Sequence, residues 1–92
     1  MEDTDLKVKM TEKSLRQGFV GGRHVPVEAV VRISLPVHAR GQGQTLLEDE
    51  MIPKAEAGWG YYGATGTVHI VDTGAAVEFI EENDGNVPFN FQ

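Results

Sequence analysis

The chain of 92 residues contains no cysteine, so neither a disulfide nor a thiolate metal site can reinforce its core. A domain of this length buries only about 60–65% of its unfolded surface, and its stability must come from apolar packing or from a partner chain. Long apolar runs are also missing, which excludes a membrane-spanning segment. The opening MEDTDLKVKM is acidic where a secretion signal is basic, and no apolar stretch comes after it. Residues 1–5 read as a flexible tail on a single domain that covers residues 1–92. Together these absences point to a soluble, cytoplasmic protein.

Basic residues are scarce in one half. Residues 1–47 carry seven Lys or Arg against five Asp or Glu, whereas residues 48–92 carry Lys54 alone against nine acids. The whole chain has a net charge of −6. Such a balance suits solubility, and it also provides an acidic face that attracts a basic partner and repels nucleic-acid phosphates.

Apolar periodicity predicts β structure. In VPVEAVVRISLPV (25–37) every odd position is apolar, from Val25 through Val31 to Val37, and β-branched residues dominate. Strict alternation of this kind predicts a long half-buried strand, with Val30 interrupting its polar face. LKVKMT (6–11) alternates in the same way. SLRQGFV then reads as its hairpin partner, in competition with one helical turn over EKSLRQ ending at Gly18. TVHIVDTGAAVEFI predicts a hairpin turning at Thr73-Gly74, in competition with a helix over AAVEFIEEN capped by Thr73. VPFNF (87–91) closes the chain as an edge strand containing Pro88. Only TLLEDEMIP predicts a helix, because Thr45 and Glu48 have capping-box spacing and Pro53 ends it. The expected fold is mainly β: a small antiparallel barrel or sandwich of five to six strands with one short helix.

GWGYYG (58–63) has the G-x-G-x-x-G spacing of a phosphate-binding loop. The context argues against that chemistry. PKAEA precedes it instead of a buried strand, and ATGTVHIV comes next as a strand instead of a helix. A kinase-type glycine loop would lie between strands, but 92 residues leave no room for the remaining catalytic elements. The stretch therefore reads as a glycine-jointed loop carrying Trp59, Tyr61 and Tyr62, which acts either as a plug for a barrel end or as an aromatic contact site.

VDTGAA (71–76) resembles the active-site turn of retroviral-type aspartic proteases, with Asp72 in the place of the catalytic carboxylate. The resemblance spans six residues. In that family the turn comes early and a glycine-rich flap follows, whereas here eighteen residues remain after Gly74 and His69 stands where an apolar residue belongs. His24, His38 and His69 lack helical ligand spacing, and Ser14 and Ser34 have no base nearby in sequence. No catalytic residue, metal site or cofactor is expected.

The function expected from these features is a small acidic, non-enzymatic interaction module, an inhibitor or adaptor occupying a basic surface of a larger protein. Its contact residues would be Trp59, Tyr61 and Tyr62, surrounded by Glu48, Asp49, Glu50, Glu81, Glu82 and Asp84. Small acidic inhibitors from phages and mobile elements provide an analogy of class only. A small-ligand binder stacking its ligand on the same rings is the alternative, and a self-assembling structural subunit is a third. An edge strand with Val30 on its outer face would also allow a homodimer.

Overall fold

A computed structural model describes residues 2–92. Its first helix, α1 (Asp3–Gln17), begins with Asp3 and Asp5 in the first turn and carries Arg16 in the last, both favourable to the helix dipole. Of the tail expected over residues 1–5, Met1 lies outside the described residues and Asp3 to Asp5 form this first turn. The helix stops at Gly18, whose φ of 76° is left-handed. There the N–H groups of Gly18 and Phe19 donate to the carbonyls of Leu15 and Ser14 at 3.1 and 2.9 Å. The strand expected over 6–11 is thus helical, and Leu6, Met10 and Ser14 form one fully buried row at i, i+4, i+8.

The long strand expected over 25–37 is overturned as well. Its centre is α2 (Val27–Ser34), whose core contacts are Val30 and Val31, followed by buried Leu35. Two prolines bracket it. Pro26 precedes the first helical residue, and Pro36 holds Leu35 extended at φ −127° and ψ 148°. Ile33 and Val37, both on the supposed buried face, are 38% and 76% exposed. Val30 is fully buried in the chain's own core, which removes the outer-face argument for a homodimer.

The third helix, α3 (Arg40–Leu46), runs through a π turn (Leu47–Met51) into α4 (Ile52–Lys54) and ends at left-handed Ala55. The stretch 45–53 is helical as its spacing suggests, but the helix starts at Arg40 and Thr45 is not its cap. Thr45 lies inside it and donates to the carbonyl of Gly41. Residues 38–44, HARGQGQ, read from their polar and glycine content as a loop, are helical, and Gly43 permits close packing there. A Cβ there would come within 2.2 Å of Leu35 Cδ1.

Strands β1 (Trp59–Tyr62) and β2 (Thr67–Ile70) form an antiparallel hairpin that pairs Trp59 with Ile70 and Tyr61 with Val68. The other edge of β2 is occupied too. Val25 and Val68 exchange both backbone bonds, and Ile70 N–H donates to Phe19. The expected hairpin at Thr73-Gly74 does not form; α5 (Thr73–Glu82) starts there instead. Its cap is Asp72, whose carboxylate accepts from Ala75 N–H at 3.0 Å, one residue before the Thr73 of the helical alternative. Ala76 and Ile80 bury one face of α5. The chain closes in a 3-10 turn (Phe89–Phe91), where a strand was expected.

The protein is therefore mainly α, 63% helical with a two-stranded open sheet, and not an all-β barrel or sandwich. Helix α1 packs against α2, α3 and α5, and the hairpin closes the same core through Trp59, Val68 and Ile70. Among the described residues no helix is long and apolar enough to cross a membrane.

Candidate functional site

The GWGYYG stretch divides into parts with different jobs. Its first two glycines let two chain segments cross. Gly58 sits at φ +78°, and a Cβ there would come 2.1 Å from the carbonyl oxygen of Asp72. Its own carbonyl accepts from Val71 N–H at 2.7 Å and Asp72 N–H at 3.2 Å. A Cβ on Gly60 would come 2.3 Å from Val71 Cγ2. The glycine spacing thus serves chain packing. Gly58 leads directly into strand β1, so no helix N-terminus is there to hold a phosphate.

Trp59, expected at a contact site, is 1% exposed. Its indole N–H donates to Thr11 Oγ1 at 3.1 Å, and the Thr11 hydroxyl donates to the carbonyl of Lys7 at 2.8 Å. This relay ties the hairpin to α1 and satisfies the one polar atom of the ring. Tyr61 and Tyr62 lie on opposite faces of β1, and both are exposed. Tyr62 stacks on His24 with ring centroids 4.3 Å apart. His24 shares a 2.6 Å hydrogen bond with the Thr67 hydroxyl, and His69 bonds the Gly21 carbonyl, so this outer face of the hairpin is pinned to the 21–24 turn.

Tyr61, on the inner face, extends past the core and forms a wall of an open groove of about 350 Å³. The floor is apolar: Val68 is buried and Val27 and Ile52 half-buried. Glu28 of α2 and Glu48 of the π turn, both exposed, stand at the rim. Glu48 accepts from the Gln44 side chain at 2.8 Å. Insertions of this π kind recur at functional sites because they re-aim a side chain off the regular helical spacing.

The other expected acids are dispersed. Asp49 is exposed beside Glu48, while Glu50 turns back to Lys7. Lys7 Nζ lies 3.1 Å from Glu50 and 2.9 Å from Glu56. Burial by itself would lower the Lys7 pKa, but the bonds to Glu56 and Glu50 outweigh it and hold the ammonium above its ordinary value. Glu81 and Glu82 are exposed in the last turn of α5, and Asp84 lines a second hollow of about 230 Å³ with Asp5, Lys9 and Glu12. The structure thus brings Tyr61 and Glu48 together and separates them from Trp59, Glu81, Glu82 and Asp84. Sequence reading missed Glu28 and the floor, because Val27 and Glu28 come from a segment read as strand. A helical reading of 27–35 puts the apolar row Val27, Val31 and Leu35 beside Glu28 and would have drawn attention to it.

Among the described residues no three His, Asp or Glu side chains are grouped to hold a metal ion. No family model matches the chain, and no curated protein or solved structure is significantly similar to it.

Proposed function

We propose that the protein is a small acidic interaction module that docks on a basic surface of a larger protein through the groove walled by Tyr61. The observation that carries this reading is the convergence of Tyr61, Glu28 and Glu48 around an apolar floor, with no Lys or Arg in the lining. An aromatic wall with a charged rim has the anatomy of a contact site, in which the ring supplies buried area and the carboxylates steer the encounter. Glu81 and Glu82 support the same reading from elsewhere on the surface. Carboxylates in the last turn of α5 oppose the helix dipole, so helix stability does not explain them. No nucleic-acid contact belongs to this reading, because an acidic rim repels phosphate. The reading puts the protein in the cytoplasm, as an inhibitor or adaptor without catalysis of its own.

Affinity capture on the immobilised chain tests it. A basic protein retained from the source-cell extract, released as salt rises and lost from a column carrying Glu28→Gln, Glu48→Gln and Tyr61→Ala, is the expected result. Screening over about 8 Å at physiological ionic strength makes the salt dependence steep for rim charges. Equal retention on both columns, or none on either, removes the reading.

A further inference from the structure

Building on that reading, we propose that the groove receives one arginine side chain of the basic partner. The apolar floor of Val27, Ile52 and Val68 suits a stem of methylene groups, which bury readily while the charged head stays near water. The head would meet Glu28 and Glu48 at the rim. Among the described residues the ion pairs all involve Lys7, with Glu50 and Glu56, and so neither rim carboxylate is neutralised from within the chain. Glu48 accepts a single neutral hydrogen bond from Gln44, which leaves acceptor capacity on both its oxygens.

The chemistry of the groove favours arginine over lysine and over a metal ion. The guanidinium presents five donors in one plane and can serve two carboxylates at once, and its face stacks on an aromatic ring such as Tyr61. An ammonium is a compact point charge that does neither as well. A bare divalent cation prefers six or more oxygen ligands, and the floor offers it carbon. At about 350 Å³ and open to solvent, the groove has room for one arginine side chain.

The test is a titration of the isotope-labelled full chain, at low salt, with acetyl-Gly-Arg-Gly-amide and its lysine and citrulline counterparts, followed by amide chemical shifts. The arginine peptide should move the amides of Glu28, Glu48, Ile52, Gly66 and Val68 along a saturable curve. Lysine should bind several-fold more weakly, and citrulline, which keeps the shape but not the charge, about tenfold more weakly or worse. Glu28→Gln with Glu48→Gln should also weaken the arginine peptide by about tenfold, and since both residues are exposed the variant spectrum should remain dispersed. Citrulline binding as well as arginine would overturn the proposal in favour of a neutral ligand. Shifts spread over Glu81, Glu82 and Asp84 as well would reduce the effect to unspecific charge attraction, and the absence of any shift would overturn the arginine assignment. Capture of a basic protein through Glu28 and Glu48, with no peptide binding, defeats the arginine assignment alone. Peptide binding with no protein captured defeats the broader reading alone.

Discussion

Trp59 and Tyr61 sit two residues apart on the same face of one strand, yet one is core and the other is surface. Trp59 lies over α1 and is 1% exposed, while Tyr61 reaches beyond the core into the groove and is 59% exposed. Helix α2 is divided in the same way, with Val30 and Val31 in the core and Val27 and Glu28 at the groove. The difference shows that one hydrophobic face can serve two regions, and that what lies opposite each residue decides its role. A side chain packed closely beneath a helix holds the fold together. One separated from its neighbours by an open groove is free to meet a partner.

The largest test of that division is on α2. Val30→Asp and Val31→Asp should each unfold the domain, because both side chains are buried and an unpaired carboxylate there costs more than a small core can spare. A strand would have buried Val31 and spared Val30. Circular dichroism should show both variants unfolded at room temperature; a folded Val30→Asp with unchanged melting would break the helical assignment of α2. Next comes Trp59→Ala, which removes the largest fully buried side chain and leaves the Thr11 hydroxyl without its donor. A loss of about 3–5 kcal/mol in denaturant unfolding is expected. A loss below about 1 kcal/mol, the range of ordinary surface substitutions, would place Trp59 outside the core.

Where the sequence informs and where it misleads can be traced to the same geometry. Periods of 2 and 3.6 share the positions Val27, Val31 and Leu35, so alternation over 25–37 fits a strand and a helix alike. The deciding signals are the residue that breaks the alternation, Val30, and the two prolines, which would interrupt a strand's hydrogen bonding but bracket a helix well. At 71–76 the ambiguity lies in Asp72. Thr-Gly suits a hairpin turn, yet an aspartate just before a run with apolar residues at i, i+3 and i+4 is also a helix cap, and Ala76, Phe79 and Ile80 make such a run. The β2 segment, the helix around 45–53, and the false phosphate loop were readable, because each depends on local context. The groove was not. Its walls come from residues about thirty positions apart in the chain, and only the tertiary fold brings Glu28 to Tyr61.

A smaller effect is expected at Lys7, which joins α1 to the segment carrying Glu50 and Glu56. Lys7→Met should destabilise by about 1 kcal/mol, closer to the exposed-pair than the buried-pair range since both carboxylates face water. The pH dependence has a definite sign. The folded-state pKa of Lys7 is raised above 10.5, so its contribution is fully present below that pH and is lost as pH rises through the folded value. The stability difference between wild type and Lys7→Met should therefore be flat near neutrality and shrink above pH 10.5. A difference that grew with alkaline pH would contradict the pairing.

The smallest change in stability, and the sharpest for function, is at Tyr61. The ring is mostly in water and is the aromatic wall of the groove. Tyr61→Ala should shift unfolding by no more than about 0.5 kcal/mol, as surface substitutions usually do. The same variant should release a bound basic partner faster while hardly changing its association rate, because the ring makes its contact only after the encounter. Glu28→Gln with Glu48→Gln should do the reverse at low salt, slowing association through lost steering. Stopped-flow or surface-binding kinetics on these variants, set beside their melting curves, separate the two roles. If Tyr61→Ala instead destabilised the domain as much as Trp59→Ala, the strand would have one role along its whole inner face, and the groove would be an edge of the core with no part in binding.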